Sequence, residues 1–324
     1  MFFILLFIVT IKMFNLLFMF DVLTAIAPLF LIIFGTAVFQ RRKRVDRSWQ
    51  EVLNAFALYV GLPALIFSAL SNATFSFREE MTLVIANSLY LIVGYALAYG
   101  IARALRLNRM MTNTLFICFA ISNVAYLGIP ILTQVYDLSV LPSISLIVAV
   151  YLFWIFTVGI GFLERTHAKQ RGALKHVVFQ LFSNPLLLAV LLGLIFAGSS
   201  FHVPFVIQSA IDTLAASVTP VVLVVIGLFL GHSTIGKPKE WIPVFLFSIA
   251  TLLLLPALFY AGISLAGHQP SDFSLSIIEA GMPLAITPFA LADEYHLDKV
   301  FIARSIVMST ILSVVTIPFW ISLF

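Results

Sequence analysis

From residue 22 onward this sequence is a succession of apolar stretches divided by short charged or proline-bearing turns. Ten stretches separate, at 22–40, 50–70, 81–105, 112–136, 139–163, 179–198, 206–231, 241–266, 272–293 and 299–322. A helix crosses the hydrocarbon core of a bilayer with about 20 residues, and each stretch is near that length. Water is the wrong solvent for such a chain. Only 10% of its residues are charged, against about 25% in an ordinary soluble domain, and its mean hydropathy is +1.11. We therefore expect an all-α membrane protein of ten transmembrane helices, with no sizeable soluble domain.

The charges give these helices a direction. Arg41, Arg42, Lys43, Arg44 and Arg47 lie in one loop, and Arg103, Arg106 and Arg109 in another. Arg165, Lys169, Arg171 and Lys175 follow, then Lys237 with Lys239, then Lys299 with Arg304. These are alternate loops, and they hold all the basic residues except Lys12 and Arg78. Basic loops stay in the cytoplasm, so both ends of the ten-helix unit are expected outside a bacterial inner membrane. The net charge of +4 is thus accounted for by topology, and no nucleic acid is expected as a partner. Residues 1–20 are apolar apart from Lys12 and Asn15; with no small-residue cleavage motif, they read as an N-terminal extension of undecided role.

The two halves resemble each other at a nearly constant offset. Ala27-Pro28 corresponds to Asn184-Pro185, and Pro63 to Pro220, both at 157 residues; Tyr136 corresponds to Tyr295 at 159. A proline inside a helix costs about 3 kcal/mol, so two at one offset, in equivalent helices, are hard to ascribe to chance. The expected organisation is an extension (1–20), a five-helix repeat (21–163), a basic cytoplasmic loop (164–178) and a second five-helix repeat (179–324). Five is odd, so the repeats must be inverted relative to each other. Inverted repeats suit alternating access, because they supply two related conformations.

The fourth stretch contains Ser122-Asn123-Val124-Ala125-Tyr126-Leu127-Gly128-Ile129-Pro130, and the ninth contains Glu279-Ala280-Gly281-Met282-Pro283-Leu284-Ala285-Ile286-Thr287-Pro288. Glycine and proline in mid-span mark broken helices 4 and 9, which are expected to cross. Unwound backbone at that depth persists only where it lines a cavity or meets a ligand. Half-helix N-termini there favour an anion. The candidate substrate-binding residues are Asn123, Gly128, Pro130, Gly281, Met282, Pro283 and Thr287. Glu279, about 10 Å into its stretch at helical rise, is the candidate for proton coupling, with a wet vestibule glutamate as the alternative reading.

These two stretches, Asn123 to Leu132 and Met282-Pro283 through Ala292-Asp293-Glu294-Tyr295, resemble the auxin efflux carrier family of permeases, in its bacterial form. The resemblance extends over about residues 20–324. It implies a scaffold domain, a transport domain holding the crossover, small organic anions as substrates, and Asn123 as a carboxylate-binding side chain. Ala125 departs from the glycine or proline expected after the asparagine.

Other residues carry less. Asn54, Asn87 and Ser122 either line a path or bond helix to helix. Asp212 reads as a partly buried scaffold residue, and Asp293, Glu294 and Asp298 as solvated charges at a helix end. His167, His176, His202, His232, His268 and His296 fall at loops or helix ends without metal-ligand spacing, and Cys118 is a lone packing thiol. No metal, cofactor or catalytic residue is expected: there is no Gly-x-x-x-x-Gly-Lys-Ser/Thr loop and no mid-span Ser/Lys or paired-acid constellation. The expected function is a secondary permease for a small, carboxylate-type organic anion, with lipid bilayer as surroundings and a homodimer permitted. The alternatives are a sodium- or proton-coupled symporter or antiporter of bile-acid symporter-like fold, or a non-transporting membrane sensor on the same scaffold.

Overall fold

The computed structural model describes residues 2–42, 45–73, 77–166, 179, 181–199, 203–232 and 237–324. Lys43, Arg44, most of the basic loop (167–178, with His167, Lys169, Arg171, Lys175 and His176) and His202 lie outside the described residues. The described chain is helical, without a strand. Its helices are α1 (Phe2–Arg41), α2 (Ser48–Ser71), α3 (Arg78–Ala104), α4 (Arg109–Phe119), α5 (Val124–Tyr136) and α6 (Leu138–Thr166). They continue as α7 (Pro185–Ala197), α8 (Phe205–His232), α9 (Pro238–Leu265), α10 (Ser274–Ala280), α11 (Thr287–Leu291) and α12 (Lys299–Ile321).

Among the described residues, seven helices are long and apolar enough to cross a membrane: α2, α3, α6, α8, α9, α12 and the Met19–Arg41 part of α1. They match seven of the ten apolar stretches. The other three differ for visible reasons. The stretch at 179–198 is helical at 181–183, breaks at Asn184 and resumes as the 13-residue α7 from Pro185. Those at 112–136 and 272–293 are each interrupted, the first between α4 and α5, the second between α10 and α11.

Local chemistry sets many of the boundaries. Short polar side chains cap the free N–H groups of a first turn: Asp46 accepts from Ser48 N at 3.3 Å, Asn108 from Met111 N at 2.8 Å, and Asp298 from Phe301 N at 2.9 Å. Wide turns of π type occur at Ala57–Gly61, Val124–Gly128, Ile155–Gly159 and Ala250–Leu254. Three of these end two residues before a proline, at Pro63, Pro130 and Pro256. A proline lacks the N–H and its ring crowds the carbonyl one turn back, and widening that turn relieves both problems without ending the helix. In α9 a freed carbonyl is recovered across the core: Trp320 Nε1 donates to Leu252 O at 2.8 Å.

The helices then pack tightly inside and present apolar faces outside. α1 lies along α8, where Gly227 and Gly231 face Ile33, Thr36, Ala37 and Gln40; a Cβ on Gly227 would stand 2.5 Å from Ile33 O. Small residues four apart let helix backbones approach this closely. α7 packs on the second half of α2, and α12 on α9 and α1. Leu31, Leu89, Phe205 and Val315 are exposed, as a surface against lipid tails requires.

Candidate functional site

The two interrupted stretches meet in the interior. Asn123 N donates to Pro283 O at 2.7 Å and Ala285 N to Ile121 O at 3.3 Å, so Ser122 and Leu284 form an isolated antiparallel bridge. Unwound backbone from one stretch thereby satisfies unwound backbone from the other. Ser309 Oγ of α12 accepts from Leu284 N at 3.1 Å, which answers a further freed amide. These bonds explain how irregular backbone persists among buried side chains, where an unpaired amide costs several kcal/mol.

Asn123 then starts α5. Its Oδ1 accepts from Tyr126 N at 3.3 Å, and its carbonyl accepts from Leu127 N and Gly128 N at 3.2 and 3.0 Å. With Oδ1 committed to the helix, the Nδ2 group faces away from it; among the described residues it donates to nothing. The departure at Ala125 is accommodated because the wide turn over Val124–Gly128 supplies the opening without a glycine there.

A cavity of about 190 Å³ borders this point. Ser122, Asn123 and Tyr126 line it from the crossover, Thr287 from α11, Tyr151 from α6, Asn54 from α2 and Asn184 from the start of α7. Tyr126 Oη donates to Asn54 Oδ1 at 3.0 Å, linking α5 to α2 across it. Ser122 Oγ and Tyr151 Oη, in residues 8% and 1% exposed, are buried beside each other and interact, and Tyr151 also meets the Tyr90 hydroxyl. No Lys, Arg, Asp, Glu or His lines the cavity among those residues. It therefore offers hydroxyl and amide donors and the N-terminus of α5, without fixed charge.

Of the eight residues singled out from sequence, Asn123 and Thr287 line this cavity. Pro283 holds the crossover through its carbonyl, and Met282 lines a separate small void that also borders Ser122 and Leu284. Gly281 gives α12 close approach, its Cα lying where a Cβ would stand 2.9 Å from Trp320 Cδ1. Pro130 is buried in the first turn beyond the wide one. Glu279 is fully buried, neither carboxylate oxygen has a partner among the described residues, and it packs on Gly128 so closely that a Cβ there would overlap it.

Several neighbours missed as site residues join the set. The sequence assigned no role to Tyr126 or Tyr151, and Asn184 figured only in the repeat. The Asn-Pro pair that begins α7 was the available signal for Asn184, since a cap fixes where its amide points. Asn87 turns out to bond helix to helix, donating to Ser276 Oγ of α10 at 2.8 Å. Asp212 is exposed and accepts from Ser68 Oγ and Gln208 Nε2 at 2.5 and 2.8 Å. Asp293 pairs with Lys299, while Asp298 caps α12.

Known proteins resemble this chain over most of its length. A protein of Methanothermobacter thermautotrophicus named "Uncharacterized transporter" is 30% identical over 286 residues, covering 83% of this chain and 87% of that protein. A Rhizobium meliloti protein named "Putative malonate transporter" is 27% identical over 278 residues, covering 82% of this chain and 84% of its own. The family described as membrane transport protein matches residues 21–321. With nearly the whole helical unit inside that match, the chain belongs to the membrane transport protein family, the auxin efflux carrier family of permeases.

Proposed function

We propose that this chain carries a small carboxylate across a bacterial inner membrane by alternating access, with the cavity beside Asn123 as its binding site. One observation carries the reading: a small interior cavity whose polar lining is hydroxyls, amides and a helix N-terminus, with the Asn123 Nδ2 group donating to nothing among the described residues. Such donors favour an anion. Drug-sized ligands occupy pockets of about 300–1,000 Å³, so about 190 Å³ suits a smaller molecule. The Rhizobium relative's name, which specifies malonate, supports the same class.

The interrupted stretches complete the count of ten crossings, arranged as two inverted five-helix repeats. With the basic loops in the cytoplasm, Asn54, Ile155, Asn184 and Ala290 all belong to cytoplasmic halves of their stretches. The cavity they line then opens inward, and the opposite state closes it and opens the outer side. Glu279 is the proposed proton carrier: it sits where the stretches cross, so movement of one against the other changes its access to water. A homodimer is the proposed assembly.

Thermal unfolding of the purified protein across a panel of small organic acids tests the binding site. Stabilisation by at least one acid is expected, and Asn123→Ala, measured against its own ligand-free midpoint, should lose most of it. Equal stabilisation of both proteins would remove Asn123 from the site.

A further inference from the structure

Glu279 is sealed in, with no exposed surface. It lines none of three cavities that adjoin in series at the crossover, although its carboxyl is the group proposed above to take up and release a proton. The cavities themselves are joined by shared residues. The first, of about 270 Å³, lies between the ends of α3 and α9 proposed to face outward, with Thr82, His268 and Tyr90 in its wall. Tyr90 also borders the second, a void of about 10 Å³, together with Ser122 and Thr251. Ser122 in turn lines the third, the cavity beside Asn123, with Tyr151.

Between these cavities the polar side-chain atoms are hydroxyls in contact. Tyr151 of α6 meets the Tyr90 hydroxyl on one side and the Ser122 hydroxyl on the other, and it stands near enough to Glu279 to feel its charge. The Tyr90 and Tyr151 rings lie 6.4 Å apart between centroids, and Phe259 stacks on Tyr90 at 4.8 Å. Packing thus fixes both rings and leaves each O–H bond able to rotate. Tyr90, Tyr151 and Ser122 are 7%, 1% and 8% exposed. Phenylalanine and alanine would fill the same volume without the cost of burying oxygen, so three buried hydroxyls at one place call for a role beyond packing.

We propose that Tyr151 is the proton relay of Glu279, reaching the outer cavity through Tyr90 and the inner cavity through Ser122. The inference rests on the reading of Glu279 as proton carrier and adds the route. A proton from water bonds to Tyr90 Oη as the proton that Tyr90 carried passes to Tyr151 Oη, and the proton of Tyr151 passes to a Glu279 carboxylate oxygen. One O–H bond forms and one breaks at each hydroxyl. Both tyrosines end neutral, Glu279 ends as the acid, and the hydroxyls rotate back. Release runs from Glu279 through Tyr151 and Ser122 to water in the cavity beside Asn123. A hub with one branch to each side suits alternating access, because a shift that parts one contact leaves the other.

The test is infrared spectroscopy of the full chain in lipid nanodiscs, which needs no substrate. The C=O band of protonated Glu279 is the one that Glu279→Gln removes, and transfer to heavy water shifts it as its proton is replaced. Tyr151→Phe keeps the ring and removes the relay, and should slow that replacement at least about tenfold. Tyr90→Phe combined with Ser122→Ala cuts both branches and should slow it as much, while either change alone leaves one branch and slows it less. Tyr95→Phe removes another buried hydroxyl of α3, one directed at Trp154 O, and should not slow it. Loosened packing would speed replacement, so slowing is not a sign of a damaged core. An unchanged or faster rate in Tyr151→Phe overturns the relay and leaves Glu279 standing as carrier. Equal slowing in Tyr95→Phe overturns the relay as well. If Glu279→Gln removes no band at any pH at which the protein stays folded, Glu279 takes up no proton, and the carrier reading falls together with its route.

Discussion

Single residues decide what the crossover can hold. Gly128 is glycine because the Glu279 carboxyl occupies the place of a side chain. Gly128→Ala is expected to cost about 1–3 kcal/mol as an overpacking change, read as a lower thermal midpoint. Glu279→Ala in the same chain should recover part of that loss, giving a non-additive pair; strict additivity would place the strain elsewhere. Glu279→Gln keeps the shape and removes the titrating group. It should preserve folding while abolishing proton movement accompanying transport in a pH-dye assay, and unchanged proton flux would exclude Glu279 as the carrier. At this scale the sequence was partly legible. Asn123 and Glu279 stood out because polar groups in an apolar stretch are expensive. Asn184 did not, because it precedes a proline at a helix start, where an asparagine is ordinary.

At the scale of elements, prolines announce where helices loosen but not how. Pro63, Pro130 and Pro256 each follow a wide turn inside a helix that continues, whereas the backbone around Pro283 leaves the helix altogether. The difference comes from the partner: Pro283 O and Ile121 O accept hydrogen bonds from the opposite stretch, a long-range pairing no local pattern contains. Contact between α1 and α8 shows the same limit. Gly227-x-x-x-Gly231 is readable as a close-packing stripe, yet nothing in it specifies α1 as the partner. Gly227→Ala forces a methyl toward Ile33 O and should destabilise the protein by about 1–3 kcal/mol. Gly262→Ala, where nothing lies within 4 Å, is the control, and in α9 it should be neutral or slightly stabilising. Equal effects from the two substitutions would contradict the packing account.

The whole molecule was legible as a helical membrane protein of the transport class, because long apolar stretches and alternate basic loops are properties of the full sequence. Seven of the ten stretches appear as long helices among the described residues; the rest are interrupted or short because their backbone serves the interior. Orientation is testable since the chain has one cysteine, Cys118, and it is buried. Asp137→Cys, at the turn between α5 and α6, should react with a membrane-impermeant thiol reagent on intact cells. Lys239→Cys, in the first turn of α9, should react only after permeabilisation; the reverse pattern would invert the topology. The central claim is that the cavity beside Asn123 carries a small carboxylate across the bilayer. Uptake of radiolabelled malonate into proteoliposomes, with unlabelled organic acids as competitors, measures that most directly. The account predicts saturable uptake, or its competition-sensitive counterpart for a preferred acid loaded inside, that falls at least about tenfold in Asn123→Ala. Robust carboxylate transport unchanged by Asn123→Ala, or none by the folded wild type with any acid of the panel, would contradict it.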